Sequence, residues 1–219
     1  MGEASMRKIM VLNAKGGAGK STVATNLAAY YASQGKKVAI ADFDPQESSL
    51  EWVLERNKNE ELQPIHGVAS HDQTFRVPRS TEYLIVDVPA AMHGDDLKKL
   101  VKRAETIIVP VMPSPIDIRA CKHFIEELRS TPTITGKKAK IGVVANRCNG
   151  NSNIFLELDE YLEKIKGTKY VTALRDSNNY IRAVAQGMGV HELPGTSNRI
   201  DIAEWEPLIE WLDSKRSTP

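Results

Sequence analysis

A chain of 219 residues with 29 Lys and Arg against 28 Asp and Glu carries a formal net charge of +1. That is enough chain for one core-bearing domain, and too balanced a charge to hold nucleic acid or anionic lipid by a global field. Its two cysteines, Cys121 and Cys148, form no CxxC pair, which argues against a disulfide framework, a zinc knuckle or an iron–sulfur ligand set and leaves buried or idle thiols. Apolar runs such as IIVPVM from Ile107 fall far short of the roughly 18 residues that a membrane span needs.

The opening MGEASMRKIM lacks the charged-then-apolar order of a signal peptide. Residues 1–5 read as a tag remnant or an alternative start ahead of Met6, and 6–219 as a single domain. Short β-branched runs at 9–12, 38–42, 83–88, 106–111 and 141–145 predict strands, separated by stretches of helical period. Such an order belongs to an α/β fold with a mostly parallel, doubly wound sheet covered by helices on both faces. Between the first strand and a helix predicted over 20–34 lies KGGAGKST, residues 15–22. Val23, Leu27 and Tyr30 or Tyr31 should form that helix's buried stripe, and Gly35 its stop. The second predicted strand ends in Asp42 and Asp44, and a polar stretch over 57–79 containing Pro64, Gly67 and Pro78 reads as an excursion or a short edge strand. Past Asn146 the pattern is helical at 154–166, extended at 170–174, helical at 179–186 and helical again over 202–212. Trp205, Leu208, Ile209 and Leu212 share one side of that last helix, ringed by Glu204, Glu206, Glu210 and Asp213. Anionic lipid repels such a helix, so it should pack on the body of the protein.

A loop that cradles phosphates needs glycines to turn backbone N–H groups inward, a lysine to meet charge, a hydroxyl for Mg²⁺ and a helix N-terminus behind it. Gly16, Gly17, Ala18, Gly19, Lys20, Ser21 and Thr22 supply that arrangement, and ATP with Mg²⁺ is the predicted ligand. The strict pattern GxxxxGK[ST] would place glycine where this chain has Ala14. Asp87, ending the YLIVD run, is the expected carboxylate for Mg²⁺ alongside Ser21, because Mg²⁺ keeps several waters and asks little of the protein.

Lys15, placed directly before the Gly-Gly pair, makes KGGAGKS an altered Walker A box. At this point the chain resembles the ParA/MinD family of P-loop ATPases, and the resemblance runs over most of its length. It implies an ATP-dependent homodimer in which Lys15 reaches the partner's phosphates, the alternative being a solvated surface lysine. It also implies that Asp44, in the DPQ element, positions the attacking water. The alternative is that Asp44 caps a helix beginning near Gln46, a job aspartate does well. Asn146, in VVANR, corresponds to the family's adenine-contacting asparagine, though its residue type also suits a strand-end turn. VPVMPSPIDI, residues 109–118, matches the stretch bordering the nucleotide and the dimer face, whereas Val88, Pro89 and Ala90 depart from the Thr-containing pattern common in the family.

The nearest resemblance is to compact ParA-type partition and carboxysome-positioning ATPases. It implies an ATPase with a slow basal rate that is cytoplasmic and nucleoid-associated and binds DNA without sequence preference. A small ParB-like or cargo-adaptor protein stimulates it, and no stable membrane association is expected. Candidate DNA contacts are Lys164, Lys166, Lys169, Arg175, Arg182, Lys215 and Arg216, with Lys98, Lys99, Lys102 and Arg103 as a second cluster. The competing readings are a MinD-like membrane-associated placement ATPase and a P-loop metabolic ligase or synthetase.

Overall fold

The computed structural model describes residues 6–70, 75–150 and 152–219. The chain runs β1 (Arg7–Val11), α1 (Lys20–Ser33), β2 (Val38–Asp42), α2 (Ser48–Arg56), β3 (His66–Ala69), β4 (Tyr83–Asp87) and α3 (Gly94–Val101). It continues through β5 (Thr106–Val111), α4 (Pro115–Ser130), α5 (Pro132–Thr135), β6 (Lys140–Cys148), α6 (Asn153–Lys164), β7 (Lys169–Arg175), α7 (Asn178–Val184) and α8 (Arg199–Asp213). All seven strands form one sheet in the order β3-β2-β4-β1-β5-β6-β7, and every pairing is parallel. The polar stretch read as an excursion or an edge strand supplies β3 on the sheet's rim.

Strand side chains alternate between two cores, as a period of two requires when both faces are covered. Ile9, Val11, Val38, Ile40, Ile85, Ile108 and Val144 meet α1 and α8 on one face. Met10, Leu12, Ala39, Ala41, Val86, Ile107, Val109 and Val143 meet α3, α4 and α6 on the other. Full burial of each large aliphatic side chain contributes about 1.5–3 kcal/mol, so the continuous apolar strands need helices on both sides.

α1 departs from the single stripe predicted for it. Besides Val23, Leu27 and Tyr31 it buries Thr25, Asn26, Ala28, Ala29 and Ala32. Its outer side is covered because Asn26 Oδ1 accepts a 2.7 Å bond from the Val190 backbone N–H, drawing the segment before α8 across the helix. α1 ends at Ser33 with Gln34 as its C-cap, and Gly35, directly after, takes φ 75° and donates its N–H to Ala32 O. α8 lies on the body of the protein with Trp205, Leu208, Ile209, Trp211 and Leu212 buried. Gly142 in β6 makes room for it: a Cβ there would stand 2.5 Å from the Trp211 ring. Both cysteines are buried, and burial pushes each thiol up to about 12.

Beside α1, the His191 ring stacks edge-on to Tyr30, and its Nε2 has no partner among the described residues. Burial, then the Arg56 guanidinium against an opposing Glu192, lowers its pKa from 6.5 to about 4. The unfolded chain therefore takes up the proton first, and stability falls as pH drops from about 6.5 toward about 4. Urea titrations across that window should show a shallower pH slope for His191→Phe than for the parent. Equal slopes would remove His191 as a source of acid sensitivity.

Candidate functional site

In an open parallel sheet, ligands sit at the carboxyl ends of the strands. Here β1, β2, β4, β6 and β7 deliver the loops lining a cleft of about 840 Å³. Gly16, Gly17, Gly19, Lys20, Ser21, Thr22 and Asp44 line its phosphate side, and Asn146, Arg147, Asp176 and Tyr180 are among the residues on the other.

Gly17 and Gly19 take φ 77° and 85°, the left-handed region that turns successive N–H groups toward one centre. Gly19 is the N-cap of α1, so the helix's unpaired N–H groups open on the cleft. Asn13, not predicted, holds the loop's root: its Nδ2 donates to Pro110 O at 2.7 Å and its Oδ1 accepts from Lys15 N at 3.2 Å. Asn146 holds the crown. Its Nδ2 donates to Ala18 O at 2.8 Å and packs so tightly on Gly19 that an added Cβ would overlap it. The amide expected to reach toward a base is thus engaged, at least through its nitrogen, by the loop itself.

The two strand-end aspartates face different surroundings. Asp42 and Asp87 are paired across β2 and β4. Asp42 Oδ2 accepts from Ser49 N at 3.0 Å, Ser49 Oγ at 2.6 Å and Leu50 N at 3.3 Å, and its Oδ1 accepts from Asp44 N at 2.9 Å. Asp42, not Asp44, therefore caps α2. Asp44 Oδ1 accepts from Gln46 N at 3.0 Å in a local turn while lining the cleft.

Asp87, at 1% exposure, has no well-formed hydrogen bond at either oxygen among the described residues. Burial pushes its carboxyl up to about 7; the neighbouring Ser21 hydroxyl opposes this, Asp42 adds to it, and Lys20 opposes it. An orphaned buried carboxylate beside a P-loop hydroxyl fits a hydrated Mg²⁺, which would satisfy both oxygens and the charge. Burial also lowers the Lys20 ammonium below its ordinary pKa, with Asp87 and then Asp44 opposing. An anionic ligand would supply the counter-charge this lysine's surroundings only partly provide.

After β4 the chain turns back onto the phosphate loop. Ala90 stands 4.0 Å from where a Gly16 Cβ would be, and Ala91, at φ 62°, donates its N–H to Ala14 O at 2.8 Å. A non-glycine residue in that region costs on the order of 1 kcal/mol or more, so this return loop is held under strain. Lys15 lies elsewhere: it does not line its own phosphate cleft, and its Nζ pairs with Asp117 Oδ2 at 2.9 Å.

The predicted DNA residues do not form one patch. Lys169 and Arg175 sit at opposite ends of β7, about 20 Å apart at roughly 3.3 Å per residue. Lys164 and Lys166 accompany Lys169 at the sheet's amino edge. The Lys215–Ser217 turn is tied to that edge as well, because Ser217 O accepts from Thr106 Oγ1 at 2.5 Å. Arg175 and Arg182 lie at the nucleotide edge, where Arg175 is committed to Asp201 through Nε at 2.7 Å and Nη2 at 3.0 Å. Lys98 and Lys99 pair with Asp95 and Asp96 on their own helix.

Residues 9–190 match the CobQ/CobB/MinD/ParA nucleotide binding domain family. The chain belongs to this family. It is 28% identical over 189 residues, 84% of this chain and 87% of the other, to the maintenance of carboxysome distribution protein A of Halothiobacillus neapolitanus. It is 40% identical over 87 residues, 37% of this chain and 35% of the other, to the chromosome-partitioning ATPase Soj of Thermus thermophilus. Among solved structures, the ATP complex of a McdA variant from Cyanothece superposes with a TM-score of 0.69 at 19% identity, covering 94% of this chain and 97% of that one. At that identity the superposition speaks for the fold. Among the described residues no helix is long and apolar enough to cross a membrane.

The Asn146–Gly19 contact makes a sharp expectation for the family's phosphate loop. Gly17 has open space where its Cβ would be, so Gly17→Ala should suffer left-handed strain alone, about 1–2 kcal/mol. Gly19→Ala suffers the strain and the overlap. In thermal melts and nucleotide titrations Gly19→Ala should be the weaker of the two, and adding Asn146→Ala should recover part of its deficit. No recovery in the double variant would show that the asparagine does not set the loop's crown.

Proposed function

We propose that the chain is an ATP-driven dimerisation switch of the ParA type, which binds DNA without sequence preference and positions a cargo, with the carboxysome or another protein organelle as the leading candidate. The observation that carries this reading is the placement of Lys15. A lysine of the phosphate-loop sequence stands outside its own cleft, 36% exposed, and pairs with Asp117, whose sequence neighbour Ile116 is an exposed large apolar side chain at 61%. A cation so placed can serve a phosphate held by a second copy, as an arginine finger does elsewhere. The carboxysome assignment is supported by the 28% relative that spans most of both chains.

On this reading Lys20 and the loop N–H groups hold the nucleotide's phosphates, and Ser21 and Asp87 would hold Mg²⁺, which would supply charge neutralisation there. Asp44 orients water for in-line attack on the γ-phosphorus, and the partner's Lys15 stabilises the charge gathering on the transferred group. Little proton abstraction is needed early in such a reaction, so Asp44 has only to orient the water; the resemblance to ParA-type switches supports a basal turnover that stays slow until a cargo-bound adaptor completes the arrangement. The buried apolar side of α8 speaks against the membrane-docking alternative.

Sedimentation velocity with ATP and Mg²⁺ should show a dimer retained on DNA at low salt, and a monomer released from DNA with ADP. Lys20→Ala should lose nucleotide binding. Lys15→Ala should bind ATP yet stay monomeric, and Asp44→Ala should remain dimeric on DNA because it cannot turn over. Identical sedimentation in ATP and ADP, together with no DNA retention, would rule the proposal out.

A further inference from the structure

We infer that Asp117 is a positioning residue for Lys15: it holds the lysine's ammonium within its own chain and thereby sets the protein concentration at which two copies pair. The inference rests on the dimerisation reading above. Asp117 is in the first turn of α4, 5% exposed, and its Oδ2 accepts from both the Ser114 hydroxyl and Lys15 Nζ. Its Oδ1 is buried without a partner among the described residues.

Capping does not explain this carboxylate. The N-cap of α4 is Ser114, whose Oγ accepts from Asp117 N at 3.1 Å. Nor does α4 need a buried carboxylate for its dipole, since an exposed one in the first turn would serve as well. What remains is the pair with Lys15, the cation that offsets the burial of this charge. The two partners are unequally placed: the carboxylate is sealed in, whereas the lysine is half-exposed at the rim of a small cleft with Ala14, His93, His123 and Glu127. Withdrawing Lys15 toward a second copy's phosphates therefore leaves a buried carboxylate without its cation, which is the costly direction in which to break such a pair. Pairing of two copies must overcome that cost, so Asp117 opposes dimerisation while keeping Lys15 aimed along the outer face.

The test is sedimentation velocity over a range of protein concentrations with AMPPNP and Mg²⁺, on the parent, Asp117→Asn, Asp117→Glu, Lys15→Ala and the Lys15→Ala, Asp117→Asn double variant. Asp117→Asn should dimerise at about tenfold lower concentration, the scale of one charge-assisted bond. Asp117→Glu should stay near the parent, and the double variant should match Lys15→Ala, because the effect passes through the lysine. If Asp117→Asn does not fold, Asp117→Ser carries the same comparison. An unchanged or weaker dimer in a well-folded Asp117→Asn, or a shift that persists without Lys15, overturns the inference. A parent that stays monomeric at every concentration instead defeats the dimerisation reading. The ion pair is then tested alone by the acylation rate of the Lys15 amine, read by mass spectrometry: faster labelling in Asp117→Asn supports the pair, and equal labelling removes it.

Discussion

Two carboxylates stand side by side at the carboxyl edge of β2 and β4, and the site is organised by how differently they are satisfied. Asp42 takes four donors from its own chain and so has a complete set of bonds. Asp87, its cross-strand neighbour, takes none among the described residues. A second self-satisfied aspartate would close this edge of the sheet; an unsatisfied one keeps a demand for a cation in the middle of it. Burial, opposed by the Ser21 hydroxyl, reinforced by Asp42 and opposed by Lys20, pushes the Asp87 carboxyl up to about 7, and a divalent ion is the alternative way of meeting the demand. The adjacent Lys20, itself short of counter-charge, makes the complementary demand for an anion. A magnesium nucleotide answers both at once, which neither ion does alone.

Local backbone strain is concentrated around the same edge. Gly17 and Gly19 in the phosphate loop, Glu47 before α2, Ala91 after β4 and Arg147 at the end of β6 all take positive φ. The loops after β1, β2 and β4 and the end of β6 thus each contain a left-handed residue, and in three of these four places it is not glycine. Such conformations persist where neighbouring bonds over-determine them. For Ala91 that bond is the one to Ala14 O, and it joins the loop after Asp87 to the phosphate-loop segment. Any movement of one is felt by the other through a single peptide contact.

The sheet was legible because its strands are apolar on both faces, a pattern that only a helix-covered parallel sheet accommodates, and the glycines, Lys20 and Ser21 announced the phosphate loop by spacing alone. Long-range polar contacts were not legible. Nothing in the local pattern around Asn13 indicates that its amide holds the Pro110 carbonyl. Asp42 and Asp44 look interchangeable in IADFDPQ until the fold shows which one faces the α2 N-terminus. Asn146 was readable as a strand-end amide near the nucleotide, but its bond to Ala18 depends on β6 lying beside the loop. Nothing in PSPID marks Asp117 for a role, since only the packing of α4 against the loop after β1 brings it to Lys15.

Basic residues illustrate the same limit from the other side. Seven lysines and arginines in the last third of the chain look like a surface when counted along the sequence, but parallel strands send the start and end of β7 to opposite edges of the sheet. Arg175 also holds structure together. With Asn179, whose Nδ2 donates to Asp201 Oδ2 at 2.6 Å, it binds the fully buried Asp201 and so fastens α7, which borders the nucleotide cleft, to α8. A net charge of +1, with Lys164 paired to Glu160 and Arg175 spent internally, leaves few cations per chain for a polyanion. Contacts this sparse give a weak and salt-sensitive grip in one copy, and pairing two copies multiplies that grip without adding a single residue. On the proposed reading, such a protein would hold DNA only while paired, and whatever governs pairing would also govern release.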